Sequence, residues 1–460
     1  MTPALTTAVG LPPLGPLPPL ALPPVTDTTL PSGLRVLAAR HTSVPMVELR
    51  LAVPFPVRSA AEVAVADVLV AGLTHGYGSR THADIANQLE ASGSTLEAGR
   101  SRWLMLSGSC PAGKLGELAG LIGALLAGAA HREDTVVRER RRLAEKVTML
   151  QAQPQAAALS ALLLHAYGEV PALSPLPELP DVARVTAGEV RDLHRRAVLP
   201  GGAHCVVVGD VDPDAAVLEI ARGTADWPTG TPAPAVPSLR PLPAGSVRAV
   251  HRRGAVQSQI RLLAPGVHRD HPRFPALSLA SVVFGGYFSS RLVMSLREEL
   301  GLAYRVDSSF RDHLDRTVIA VEADTATGAT APALRQIRRQ LRRLSGQPPT
   351  GPEADAARQY LTGMSMLALA SQGGLAGSLL SSLVLGQDPA RLVGFPSLLE
   401  GVSTGELRSA AEDFYHPEAF CGVLVGDRPD PADYLADYLA DHPADHLADH
   451  LEGAADGTSA

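Results

Sequence analysis

Between Phe284 and Tyr304 the chain reads FGGYFSSRLVMSLREELGLAY. The chemistry in this stretch rests on Arg297 and Tyr304, seven residues apart. A guanidinium fork can hold a carbonyl or carboxylate oxygen from two directions, and a phenolic O–H can donate to an oxygen on which negative charge develops. The spacing predicts that the two flank the C-terminus of a helix. Ser289 or Ser290 is a cap; Leu292, Val293, Leu296 and Leu300 fall on one apolar stripe; Glu298 and Glu299 face water; and Gly301 ends the helix in a left-handed conformation. Taken alone, the pair also fits an ordinary helix-to-strand turn with a surface arginine.

Other candidates for chemistry carry less. Cys110, Cys205 and Cys421 have neither zinc spacing nor the density of a disulfide framework, which favours a reducing compartment. His75 and His82 are separated by Gly76 and Gly78, which break any helical register, so both are expected as surface histidines. His442, His446 and His450 sit in a repetitive acidic tail, where incidental chelation is the expectation. Gly401-Val-Ser-Thr-Gly405 matches the G-x-S-x-G pattern of serine hydrolases, but no strand leads into it and Ser403 is explained as a helix cap. No G-x-x-x-x-G-K-[ST] phosphate loop occurs.

These residues belong to a chain of 460 residues with 45% hydrophobic content, 4% aromatic residues and a net charge of −7. That composition supports aliphatic cores and argues against a nucleic-acid partner. The residues 1–25 are apolar but studded with prolines, and lack the basic start and unbroken apolar run of a secretory signal. They are expected to form an extended arm. No later run is long and charge-free enough to predict a membrane span, and a cytoplasmic location follows as an expectation.

From Thr29 the pattern is globular. Two short strands surround Pro31-Ser32-Gly33, a longer one covers 44–54, and Ala60 to Leu73 is a helix apolar nearly all round. A helix over 81–92 leads through Gly93 to a strand near Thr95. The basic run Arg132 to Lys146 reads as a solvated helix face, as do the arginines of the helix over 331–344. Capping boxes at Thr186/Glu189 and Ser403/Glu406, each followed by a helix and then a strand ending in Gly-Asp, recur at one offset (403 − 186 = 406 − 189 = 426 − 209 = 217). Leu49-Arg-Leu-Ala-Val-Pro54 and Ile260-Arg-Leu-Leu-Ala-Pro265 recur at 211. The chain is therefore read as a duplicated α+β domain: an arm (1–25), a first domain (26–228), a proline-rich linker (229–248), a second domain (249–428) and a low-complexity tail (429–460).

The 284–304 stretch resembles the C-terminal half of the pitrilysin or insulinase family of zinc peptidases, which includes mitochondrial processing peptidase and two-subunit bacterial relatives. The resemblance covers about Thr29 to Asp427. It implies two domains related by a pseudo-twofold, each an antiparallel sheet with helices on one face, with Arg297 and Tyr304 contacting substrate near the scissile bond. Active members carry H-x-x-E-H on the buried helix and a further glutamate downstream. Here Asp67, Val70 and Ala71 stand at the His, Glu and His positions, and Lys146 at that of the last ligand, with Glu145 one helical step away. The resemblance thus implies no zinc in this chain. It implies instead a heterodimer with a zinc-bearing partner that cleaves peptides, leader segments of small precursor peptides among the candidate substrates. The alternatives are a structural or assembly protein of the same descent, which would have no use for the arginine and tyrosine, and an autonomous hydrolase using tail ligands.

Overall fold

The computed structural model describes residues 20–230 and 238–427. Most of the expected arm, the middle of the linker, and the tail with His442, His446 and His450 lie outside the described residues.

Local signals set the first elements. Gly33 takes φ +88° between β1 (Val25–Thr29) and β2 (Arg35–Arg40), the turn that Pro31-Ser32-Gly33 predicts. Strand β3 (Met46–Pro54) alternates Val47, Leu49, Leu51 and Val53 toward the first core. A two-residue hairpin, β4 (Gly76–Tyr77) and β5 (Arg80–Thr81), precedes β6 (Thr95–Arg100), β7 (Trp103–Pro111) and β8 (His204–Gly209). The second half contains β9 (Val247–His251), β10 (Gln257–Pro265), β11 (Ala303–His313), β12 (Arg316–Ala326) and β13 (Cys421–Gly426).

Helices of the first half are α1 (Ala60–Gly72), α2 (His82–Ser92), α3 (Leu115–Gly128), α4 (Glu133–Ala152), α5 (Pro154–Tyr167), α6 (Leu179–Arg184), α7 (Ala187–Ala197) and α8 (Pro213–Gly223). Those of the second are α9 (Phe274–Ser281), α10 (Arg291–Val293), α11 (Thr330–Gly346), α12 (Gly351–Leu369), α13 (Gln372–Val384), α14 (Ala390–Glu400) and α15 (Thr404–Phe414). Both expected capping boxes form, with Thr186 and Ser403 exchanging hydrogen bonds with Glu189 and Glu406. Ser403 is thereby a helix cap and not a nucleophile.

The duplication is visible in strand order. The first sheet runs β1-β2-β8-β3-β7-β6 and the second β9-β13-β10-β12-β11. Omitting the extra edge strand β1, the orders correspond strand for strand. Pairings are antiparallel except for one parallel pair in each sheet, β2 with β8 and β13 with β9. Each half packs its own helices on one face of its sheet, α1, α3, α7 and α8 on the first and α9, α11 and α15 on the second.

The opposite faces are covered by exchange. Leu375, Leu379 and Leu383 of α13, from the second half, pack on Leu37, Val206 and Val208 of the first sheet. Ala158, Leu162 and Ala166 of α5, from the first half, pack on Leu263, Val318 and Val423 of the second. Polar contacts fasten the exchange. Arg102 donates to the carbonyls of Leu314 and Val384, Gln372 Nε2 donates to His41 and Val44 carbonyls at 2.6 and 2.9 Å, and Tyr167 donates to His313 Nδ1 at 3.0 Å. Burial drives His313 down to about 4, which leaves its ring neutral and able to accept that bond.

The segment Phe274–Glu299 is long and apolar enough to cross a membrane, contrary to the reading of the sequence. In the fold, 67% of its most apolar window is buried in the second core, which accounts for its hydropathy.

Candidate functional site

Helix α1 is capped by Ser59, whose hydroxyl accepts from the Glu62 amide, and buries Ala64, Val65, Val68 and Leu69 in the first core. Asp67, Val70, Ala71 and Lys146, the positions set against zinc ligands by the sequence resemblance, are not arranged for a cation. The Asp67 carboxylate is paired with the Arg100 guanidinium on edge strand β6. Val70 is buried, Ala71 is a methyl group at the surface, and Lys146 and Glu145 are exposed on α4. Zinc needs three or four N, S or O donors converging on one point. Among the described residues no group of three or more His, Cys, Asp or Glu does so, and the one carboxylate on this face already has its counter-charge. These residues do not fit zinc.

The structure corrects the expectation for His75. Gly76 at φ +144° and Gly78 at φ +52° turn the chain sharply through the β4–β5 hairpin, which lays His82 on His75 with ring centroids 4.4 Å apart. The glycines that break the register are therefore what bring the two histidines together. His82 is exposed, but only 12% of the His75 side chain is. Its Nδ1 lies 3.5 Å from Glu139 Oε1 and accepts from Arg138 at 3.2 Å. Burial lowers the His75 pKa, the Glu139 charge opposing. Glu139 itself is held by Arg138 and Arg142.

A second histidine pair escaped the sequence reading. His194 Nε2 meets the Leu126 carbonyl at 2.9 Å and must donate to it, so His194 Nδ1 accepts from His131 Nε2, also at 2.9 Å. That leaves His131 Nδ1 bare and buried with no partner, facing Gly72 of α1. Burial lowers both groups, His131 to about 3. The thiols are equally inert: burial pushes Cys110 and Cys421 up to about 11 and Cys205 to about 12.

The Arg297–Tyr304 stretch departs from the simple helix in two ways. After α10, residues Met294–Glu299 form a π-helical turn, the extra residue of which advances the later side chains around the axis. Leu292, Val293 and Leu296 are buried as expected, but the fourth position of the stripe, Leu300, is 51% exposed. Ser295 is buried in its place, its hydroxyl accepting from Gln336 Nε2. Ser290 is the N-cap residue, yet its hydroxyl makes no capping bond. Gly301 does end the turn at φ +60°, with Leu302 N–H donating to the Leu296 carbonyl at 2.8 Å.

The second departure is at Tyr304. The β11–β12 register shifts between Ala303 and Arg305, so Tyr304 is the extra residue of a β-bulge on the edge strand. A bulge redirects its side chain, and Tyr304 is 85% exposed with no hydrogen-bond partner among the described residues. Arg297, 45% exposed, lies 3.2 Å from Glu298 Oε1 and above the Phe288 ring at 5.6 Å. Both side chains are thus exposed with donor capacity to spare. Among the described residues no group of three or more His, Cys, Asp or Glu stands beside them to hold a metal.

The chain is similar to several known proteins. Residues 184–361, which include Arg297 and Tyr304, match the family model described as the peptidase M16 inactive domain. An uncharacterized zinc protease of Mycobacterium leprae is 28% identical over 353 residues, covering 75% of this chain and 79% of the relative. The crystal structure of a peptidase M16 inactive domain from Pseudomonas fluorescens superposes with a TM-score of 0.80 at 21% identity, over 88% of this chain and 98% of that one. A Helicobacter pylori protease superposes with a TM-score of 0.81 at 18% identity, over 88% and 100%.

Proposed function

We propose, for a chain that has the sequence pattern and fold of the pitrilysin-type M16 peptidases without their zinc motif, the role of zinc-free subunit in a two-chain metallopeptidase. The observation that carries this reading is the state of Tyr304. A phenol thrown out by a bulge is 85% exposed and has no hydrogen-bond partner among the described residues to hold it in this chain's own fold. An architectural protein would have no use for it. It is a donor awaiting an acceptor from outside, as is the half-exposed guanidinium of Arg297.

In the paired enzyme the partner supplies the metal and the attacking water. This chain supplies position and charge stabilisation. Arg297 holds a backbone carbonyl or a carboxylate of the peptide, fixing the bond to be cut. Tyr304 donates to the carbonyl oxygen of that bond as negative charge builds on it, where one well-placed donor is worth roughly 10²–10³ in rate. Held apart from a metal, neither residue cleaves anything.

The test is co-expression with a homologue from the same genome that retains H-x-x-E-H, followed by size-exclusion chromatography and peptide cleavage. The expected result is a one-to-one complex in which activity requires both chains. A zinc-bearing homologue that stays monomeric beside this chain and is fully active alone would rule the reading out.

A further inference from the structure

Beside Arg297 begins an exposed apolar strip that the pairing of Arg297 and Tyr304 does not use. Phe288, under the Arg297 guanidinium, is 75% exposed. Its neighbour Tyr287 stacks on Tyr360 of α12 at 5.5 Å between centroids. From there Tyr360, Met364 and Leu367, at i, i+4 and i+7 on one side of α12, are 37%, 48% and 70% exposed. Ala368, the next residue, lines a cavity of about 180 Å³ walled by Phe274, Leu369, Leu392 and Phe395 together with Arg269, Arg391, Gln387 and three serines. An engineered apolar cavity of ~150 Å³ takes up benzene, so this one has room for a single ring or branched side chain.

Charge and size identify the occupant. Residues 359–386 contain no Asp, Glu, Lys or Arg, and the Glu353 carboxylate that acts on Tyr287 is already paired with Arg291, so the strip has no free counter-charge to offer. The cations at its border are Arg297 and, at the cavity, Arg269 and Arg391, of which Arg269 is paired with Asp312 and Arg391 donates to the Arg269 carbonyl. Five exposed side chains fall far short of the ~20–30 residues a side of a stable protein interface, which argues against a second subunit or second copy. The strip's length matches a peptide. Tyr360 to Leu367 rises ~10 Å along the helix, the Tyr287–Tyr360 stack adds 5.5 Å, and an extended chain covers that span in about five residues.

We propose that this strip is the substrate-selecting subsite of the paired peptidase. It takes an extended, uncharged peptide segment with bulky apolar side chains at alternate positions, starting beside the residue held by Arg297, and seats the last of them in the cavity next to Ala368. The inference rests on the zinc-free-subunit reading for its meaning, but its test does not need a partner. Fluorescence anisotropy of the full chain alone is measured with two labelled peptides of equal length and charge, one with leucine and one with serine at alternate positions. The wild-type chain is expected to bind the leucine peptide at least ~10-fold more tightly, the scale of one or two apolar side chains leaving water. Met364→Asp/Leu367→Asp should lose that preference with an unchanged circular-dichroism spectrum, both side chains being at the surface. Tyr304→Phe should keep it, which separates failure of the strip from failure of the catalytic reading. Equal binding of the two peptides by the wild type, absence of binding by both, or a preference that survives the double substitution would each overturn the proposal. So would a shift in the oligomeric state on double substitution, since the strip would then be a contact between copies.

Discussion

Acidification from pH 7 to pH 5 should destabilise this chain by about 2 kcal/mol through His131 alone. The ring sits behind α1 with its Nδ1 buried and bondless, so a proton arriving there places a charge in a site with no counter-ion; the nearby Arg191 makes it worse. The folded pKa, about 3, lies below the ordinary 6.5. The unfolded chain therefore takes up the proton first as pH falls. The stability conferred by the neutral ring is complete above pH 6.5 and is lost between 6.5 and about 3. At pH 5 the deficit is ~1.4 kcal/mol for each of the 1.5 pH steps below 6.5, hence about 2 kcal/mol. His194, also lowered by burial, acts in the same direction. Urea unfolding followed by Trp103 and Trp227 fluorescence at the two pH values measures this. Other lowered histidines, His75, His204 and His313, add to the wild-type difference, so the critical comparison is with His131→Gln/His194→Gln. That variant has lower absolute stability but a pH 7-to-5 loss smaller by at least ~2 kcal/mol. An identical loss in variant and wild type would refute the reasoning.

Four further outcomes are expected. Tyr304→Phe lowers kcat of the paired enzyme by roughly 10²–10³ and leaves Tm unchanged, since the phenol is 85% exposed and has no hydrogen-bond partner among the described residues; full activity would reduce Tyr304 to surface decoration. Arg297→Ala acts mainly on KM and on the accuracy of the cleavage position, read by mass spectrometry of the products. The purified chain, without the tail 428–460, contains no stoichiometric zinc by plasma mass spectrometry, because Asp67 is already paired with Arg100; one zinc per chain would contradict the fit test. Leu379→Ala, a fully buried α13 side chain on the first sheet, costs about 2–5 kcal/mol and accelerates hydrogen exchange in β2 and β8. Loss of protection confined to the second half would show that the exchanged helix does not bind the halves together.

Much of this molecule was legible in its sequence because the relevant signals are local. Gly33, Gly93 and Gly301 mark left-handed turns, the boxes at Thr186 and Ser403 mark helix starts, and their constant offset reveals the duplication. The missing zinc set and the retained arginine and tyrosine are matters of residue type at fixed spacing, which no folding event alters. What only the tertiary structure decided depends on partners distant in the chain. An apolar helix reads the same whichever sheet it covers, so the exchange of α5 and α13 between halves is invisible to periodicity. The π-helical turn that exposes Leu300 and buries Ser295 beside Gln336 breaks the 3.6-residue rule used to draw the stripe. His75 met Glu139, and His131 met His194, across gaps of more than sixty residues. The bulge that frees Tyr304 arises from register against β12. The sequence thus determined which groups the proposed reading assigns to a peptide, and long-range packing determined which of them stand exposed.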